Sequence, residues 1–200
     1  MKEIQMKILV DIDGVSGDLV GEVLDRLNER RDMKFTHEHI TEWNFFHPDS
    51  DIFNDEELAD VNEIFCQEGL TNEIKLMPGI KETLEKLVKE GHEIVWLTAP
   101  WKLSKTWCYD RTVWIERELG HISKNIIFAW NKECIPGDIL IDDNPEFLMK
   151  WKKHNLMGQT ILFKQPWNIK VGKEQGLHFM NDWNDVQSLN VAMTCKRLFR

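Results

Sequence analysis

Two acidic pairs each follow directly on a short apolar run. Ile8-Leu9-Val10 leads into Asp11-Ile12-Asp13-Gly14, and Ile139-Leu140-Ile141 leads into Asp142-Asp143-Asn144. An apolar run of this length bounded by turn formers reads as a strand buried on both faces, the pattern of a parallel sheet. Open parallel sheets bind ligands beyond the carboxyl ends of their strands. Four carboxylates at one such edge repel one another unless a cation sits among them, and an all-oxygen ligand set suits a hard ion such as Mg2+. Two further groups fall at strand ends of the same kind: Thr98 closes Ile94-Val95-Trp96-Leu97, and Lys132 lies shortly after Ile126-Ile127-Phe128. Carboxylates, a hydroxyl and an ammonium on one edge are the inventory for displacement at phosphorus. In Asp11-x-Asp13, Gly14 lets the chain turn so that both carboxylates reach one site. One can attack phosphorus, and the other can protonate the leaving oxygen and then activate water.

The elements that must position these groups alternate regularly. Residues 6 to 11 read as the first strand, and Leu19, Val20, Val23, Leu24 and Leu27 fall at helical spacing after it. Residues 35 to 75 are acidic and aromatic with no strand signal; Asn54 and Glu57 form a candidate capping box for a helix through Leu58, Val61, Ile64 and Phe65. After Pro78-Gly79 come a helix from Ile80 ended by Gly91, a strand at 94–97, a helix at 109–119, and a strand at 126–128. Then follow a strand at 139–142, a helix at 145–154 and a strand at 160–163. This alternation predicts an α/β three-layer sandwich, a parallel Rossmann-like sheet between two helical layers, with a small helical insertion over residues 16–76 after the first strand.

Bulk properties narrow the class. The composition, 42% hydrophobic and 30% charged, is that of an ordinary globular chain. A net charge of -9 opposes binding to a nucleic acid polymer, which asks for a basic surface. Cys66, Cys108, Cys134 and Cys195 show neither zinc-ligand nor disulfide spacing, so reduced thiols in a cytoplasmic protein are expected. No apolar stretch approaches the ~20 residues that span a membrane. Nine tryptophans stand against a single tyrosine, so those rings belong in the core or in a ligand pocket; a small domain so rich in tryptophan can also form a homodimer. Trp96, Trp114 and Trp151 are expected in the core. Trp43, Phe45 and Phe46 are either the small core of the insertion or a stacking platform for a substrate ring.

The order Asp11-x-Asp13-Gly14, Thr98, Lys132, Asp142-Asp143 resembles the four motifs of the haloacid dehalogenase-like phosphatases. More closely, the chain is similar to the 5'(3')-deoxyribonucleotidases. That similarity rests on Asp11-Ile12-Asp13-Gly14-Val15, Met77-Pro78-Gly79, Leu97-Thr98-Ala99-Pro100, and Tyr109-Asp110-Arg111 leading into Trp114. Lys132 with Gly137 to Asp143, and the tail Gln165-Pro166-Trp167-Asn168 with Asp182-Trp183, complete it. The resemblance implies a nucleophile at Asp11 and an acid/base at Asp13. It implies Mg2+ held by Asp11, the backbone carbonyl of Asp13, and Asp143, with Asp142 close by. It places the phosphate on Thr98, Ala99 and Lys132, with Arg111 as a further contact. Residues 1–15 and 77–200 would form the core domain and 16–76 a cap over the substrate. Two stretches depart from the family pattern: Ser16-Gly17-Asp18-Leu19, and Gly69-Leu70-Thr71-Asn72, where the family carries aromatic rings. The expected function is a Mg2+-dependent phosphomonoesterase acting on (deoxy)ribonucleoside monophosphates through an aspartyl-phosphate. The alternatives are a phosphatase for another small phosphomonoester, or a catalytically silent binding module of the same fold.

Overall fold

The computed structural model describes residues 5–198; residues 1–4 of the expected core domain and 199–200 of the C-terminal segment lie outside the described residues. Six strands form one wholly parallel sheet: β1 (Lys7–Val10), β2 (Glu93–Thr98), β3 (Ile126–Phe128), β4 (Ile139–Asp142), β5 (Gln159–Phe163) and β6 (Phe179–Met180). Their spatial order is β3-β2-β1-β4-β5-β6. The chain winds outward from β1 through β2 to β3, then crosses back to β4 on the other side of β1. The winding direction reverses there, and that switch point opens a crevice at the carboxyl ends of the strands. The register pairs Val10 with Ile141, and the amide of Asp11 donates to the carbonyl of Ile141 at 2.9 Å. Asp11 and Asp142 therefore leave the sheet side by side.

Strand alternation sorts the core into two faces. Ile8, Val10, Ile94, Trp96, Ile139, Ile141 and Ile161 point to one, and Leu9, Val95, Leu97, Leu140 and Leu162 to the other. The first face is covered by α4 (Ile80–Lys89), α5 (Trp107–Leu119) and α8 (Val186–Leu198), and the second by α6 (Pro145–His154) through Leu148 and Trp151. α6 begins as its sequence demands, with Asn144 accepting from the amides of Glu146 and Phe147 and Pro145 in the first turn. Trp96, Trp114 and Trp151 are fully buried, as expected.

No regular element after the fifth strand is legible in the sequence, and here the structure adds three: α7 (Ile169–Glu174), β6 and α8. β6 has only two residues, too few for a periodic signal, and it exists because β5 offers a pairing edge at Leu162 and Phe163. α8 carries its buried stripe on Leu189, Ala192 and Met193. Its Lys196 ammonium lies 3.0 Å from Asp138 Oδ1 and donates to the Met157 carbonyl, while Asp138 Oδ2 accepts the amide of Lys7. That buried pair fastens α8 to the edge of the sheet opposite the crevice.

Between β1 and α4 lie α1 (Leu19–Arg31), a 3-10 turn at His37–His39, α2 (Asp55–Phe65) and α3 (Leu70–Glu73). The capping box read at Asn54 and Glu57 is present. Val23, Leu27, Ile40, Phe53, Val61 and Ile64 of this helical insert join the apolar cluster of the first sheet face, so the insert shares a core with the sheet. The chain enters and leaves the insert through one joint. The amide of Asp18 donates to Lys75 O at 2.8 Å and the amide of Met77 to Ser16 O at 2.9 Å.

Asp18 also caps α1, accepting from the amide of Gly21, and receives the His37 Nε2–H at 2.7 Å. That bond raises the imidazole above its ordinary 6.5. Burial pushes Asp18 up, but His37, the Gly21 amide and Lys75 together outweigh it and the carboxyl ends below its ordinary 3.8. The histidine's contribution is complete below about pH 6.5 and fades as pH rises through its raised value; the aspartate's is present above about 3.8 and fades on acidification. His37→Gln should therefore lower the melting temperature most near pH 5 to 6 and least near pH 9, and an identical deficit at both, read by thermal melts, would show that no charge is involved. At the sheet's other flank, Trp183 is fully buried and its indole N–H donates to Val15 O at 2.8 Å. Trp183→Ala should cost about 3–5 kcal/mol in urea unfolding.

Candidate active site

Beyond Val10 the chain turns tightly: the amides of Ser16 and Gly17 both donate to Ile12 O at 2.8 Å, and Ser16 Oγ donates to Asp11 O at 2.6 Å. Gly14 is required at this turn for two reasons. Its φ is 73°, and a Cβ there would lie 2.3 Å from Asp143 Oδ2. The turn brings the acidic pair after β1 against the acidic pair at the end of β4.

Asp11, Asp142 and Asp143 are buried, each with a carboxylate oxygen within 4.8 Å of the others. One ammonium lies among them. Lys132, carried by a 3-10 turn after β3, places Nζ 2.7 Å from both Asp11 Oδ1 and Asp142 Oδ2, and 4.9 Å from the centre of the Phe147 ring. Asp142 Oδ1 accepts the amide of Asn144, so both Asp142 oxygens are engaged. Asp143 differs: Oδ2 accepts the Trp167 indole N–H at 3.0 Å, while Oδ1 is buried without a hydrogen-bond partner. Burial, with repulsion from Asp11, pushes Asp142 up to about 7 against the pull of Lys132. Burial and the two neighbouring carboxylates push Asp143 well above the usual carboxylate range. Lys132, despite its burial, is held above its ordinary value by Asp11 and Asp142. Three carboxylates against one ammonium, with Asp143 Oδ1 buried without a donor, fit a hard divalent cation with oxygen ligands.

Asp13 faces a different partner. Arg111 of α5 is fully buried, its guanidinium lying 5.5 Å from the ring centre of Trp107 and 5.6 Å from that of Trp114, and Nη2 donates to Asp13 Oδ1. Its Nε and Nη1 are buried without partners. Burial raises Asp13 to about 6 even though Arg111 pulls it down. Arg111, expected at the phosphate, thus sits behind Asp13 and outside the lining of the crevice.

Above these groups opens a cavity of about 570 Å³. Asp11, Asp13, Thr98, Ala99, Lys132 and Asp143 all line it. Thr98 Oγ1 is buried there without a partner. Trp43, Phe45 and Phe46 line the cavity as well, which joins both readings of that cluster: Phe45 is a buried core ring, edge-on to Phe46 and Phe53, and still borders the cavity. Rings not singled out as pocket residues from the sequence complete the wall: Phe65 of α2 and Trp101, Trp107, Trp130 and Trp167. Trp101 meets Phe46 edge-on at 5.6 Å and Phe65 at 5.5 Å. None of the wall's rings comes from Gly69-Leu70-Thr71-Asn72. Trp101, three residues past Thr98, was the one legible signal.

A short segment after β5 closes the floor. Gln165 Nε2 donates to Gly14 O at 2.6 Å, and Asn168 Nδ2 donates to Asp143 O and to Phe163 O, each at 2.8 Å. All of Gln165, Trp167 and Asn168 are buried.

Comparison with known proteins follows the same lines. A protein of Staphylococcus aureus, provisionally named a 5'(3')-deoxyribonucleotidase, is 26% identical over 183 residues, which cover 90% of this chain and 92% of that protein. Among solved structures, a HAD family hydrolase from Deinococcus radiodurans with bound phosphate and sodium superposes with a TM-score of 0.61, covering 94% of this chain and 96% of that one at 10% identity. The D,D-heptose 1.7-bisphosphate phosphatase of Bordetella bronchiseptica, complexed with magnesium and phosphate, gives 0.54 at 10% identity over 96% of this chain and 99% of that one. At such identities these structures establish a shared haloacid dehalogenase-like fold. The model of the family described as 5' nucleotidase, deoxy (pyrimidine), cytosolic type C protein matches residues 5–197. The chain therefore belongs to that nucleotidase family and is a phosphoric monoester hydrolase.

Proposed function

We propose that the chain is a Mg2+-dependent phosphatase of nucleoside monophosphates, deoxyribonucleotides foremost, working through an aspartyl-phosphate on Asp11. The observation that carries this reading is one cavity with an acidic, lysine-bridged floor beneath walls of aromatic rings. Asp11, Asp143 and the backbone carbonyl of Asp13 would hold Mg2+, with Asp142 beside them. When bound, the ion supplies charge neutralisation that lets an anionic phosphate enter and stabilises the charge that develops on it.

In the first half-reaction an Asp11 carboxylate oxygen attacks phosphorus, a P–O bond to Asp11 forms and the bond to the sugar oxygen breaks. Asp13 gives its proton to that departing oxygen. In the second, Asp13 takes a proton from water, the water oxygen attacks phosphorus, and the bond to Asp11 breaks to release inorganic phosphate. A carboxyl poised at about 6 suits both duties near neutral pH. Lys132 and Thr98, with the backbone at Ala99, hold the phosphate oxygens; Arg111 orients Asp13 from behind and stands in the second rank of the phosphate site. Residues 16–76 act as the cap, since Trp43, Phe45, Phe46 and Phe65 close the cavity over the floor and exclude water from the acyl phosphate. The remaining chain, 1–15 and 77–200, is the catalytic core. Rings around a cavity of this kind favour a flat base stacked between them over a sugar phosphate.

Phosphate release from ribo- and deoxyribonucleoside monophosphates and from sugar phosphates, with Mg2+ and with chelator, tests the reading. Turnover should be highest on deoxynucleotides, vanish with chelator and in Asp11→Asn, and drop about 100- to 10,000-fold in Asp13→Asn. Turnover confined to sugar phosphates would discard the nucleotide assignment. Trp101→Ala should raise KM for nucleotides by the ~1–3 kcal/mol of one stacked ring while leaving a small ring-free phosphate ester unchanged; equal effects on both would remove Trp101 from base binding.

A further inference from the structure

The Gln165–Asn168 segment touches the site at three points, and one of them bears on which cation the site accepts. Asp143 reaches the floor through two oxygens in unlike states. Oδ2 is occupied by the Trp167 indole N–H at 3.0 Å, and Oδ1 is buried with no donor. Neither the indole nor the carboxylate can easily turn away. Trp167 is 4% exposed, and Asn168 pins the Asp143 carbonyl from the same 3-10 turn. The turn is itself locked, because the Asn168 side chain accepts the amide of Gln165 at 3.0 Å while its Nδ2 spans to Phe163 O. Gly14 packs against Asp143 Oδ2 and the Trp167 ring so closely that even a methyl group there would collide with the carboxylate.

We infer that Trp167 is a positioning residue that confines Asp143 to a cation through Oδ1 alone, and so favours Mg2+ over Ca2+. The inference rests on the reading of Asp143 as a cation ligand given above. Mg2+ is small, demands near-ideal octahedral geometry and takes carboxylates through one oxygen, whereas Ca2+ accepts more ligands, at longer range, and readily takes both oxygens of one carboxylate. An indole N–H on the second oxygen leaves the first fully able to bind and denies the two-oxygen mode. Donors of this kind commonly tune ligands without touching the metal. The indole also fixes the plane of the carboxylate, so that Oδ1 is directed before any ion arrives. Trp167 lines the cavity and its ring stacks near His37 of the insert, at 6.5 Å between centres; a phenyl ring in its place keeps an aromatic face there and removes the donor together with the smaller of the two fused rings.

Calorimetric titration of the substrate-free protein with Mg2+ and separately with Ca2+ tests this without any turnover. Trp167→Phe should weaken Mg2+ about 10- to 100-fold and weaken Ca2+ by less, so the Mg2+/Ca2+ preference falls, while the melting temperature of the cation-free protein stays near wild type. Trp167→Leu, which also lacks a polar hydrogen, serves the same purpose should the phenylalanine variant fold poorly. Hydrogen exchange at the Trp167 indole of the wild-type protein needs no variant: protection should persist in the Mg2+-bound form. An unchanged Mg2+/Ca2+ preference in the variants, or an indole that loses protection on Mg2+ binding, overturns the inference. Wild-type protein that binds no divalent cation, and so matches Asp143→Asn, overturns the metal reading itself and the inference with it.

Discussion

Like charges buried at short range set the terms for everything else in this molecule. Asp11, Asp142 and Asp143 stand within one small volume, and the protein supplies them with a single ammonium, that of Lys132. Such a cluster is costly in a low-dielectric interior and persists only if the surrounding structure holds each group in place. The parallel sheet does this by juxtaposing β1 and β4 at its switch point, so that the two acidic segments emerge from adjacent strands whose registers are locked by isoleucine, leucine and valine on both faces. The arrangement is unstable by design in one sense only: it is short of positive charge, and what it binds must supply it.

The second half of the site answers the first. Asp13 stands apart from the acidic trio, with its own cation, and that cation is clamped between two tryptophans on α5. Asp11 and Asp13 therefore pair with different cations two residues apart in sequence, while Asp11 and Lys132 still act on Asp13 through space. Over both lies a wall of rings drawn from the insert and from the segments that follow the strands. Because the insert shares its apolar cluster with the first sheet face, the floor and roof of the cavity are parts of one packed body, and core packing holds Phe45, Phe65, Trp107 and Trp167 of its wall in place.

Much of this was legible in the residues, for a physical reason. β3, β4 and α6 begin and end where the sequence places them because each is a clean apolar or amphipathic run closed by a turn former or cap. Asp11, Asp13, Thr98, Lys132 and Asp143 could be placed on one edge because strand ends in a parallel sheet all point the same way. What escaped notice depends on long-range contact. β6 is two residues long and is defined by its neighbour, not by its own pattern. The ring wall gathers Phe65, Trp101, Trp107 and Trp130 from different elements, and no local spacing links them. Arg111 shows the limit most sharply: a basic residue on a helix looks solvated in sequence, and only the third dimension reveals two indoles flanking it and a carboxylate waiting beyond.

The carbonyls of the first motif are claimed from far away. Gly14 O is held by Gln165 and Val15 O by Trp183, partners separated by 151 and 168 residues. During synthesis Asp11 emerges from the ribosome long before Gln165 and Trp183, the side chains that fix the turn around it. Until Gln165 and Trp183 follow, Asp11 rides on a loop without those anchors. The turn around Asp11 closes only when the segment from Gln165 to Trp183 folds back onto it, and a chain ended before Gln165 carries Asp11, Thr98, Lys132 and Asp143 without those anchors.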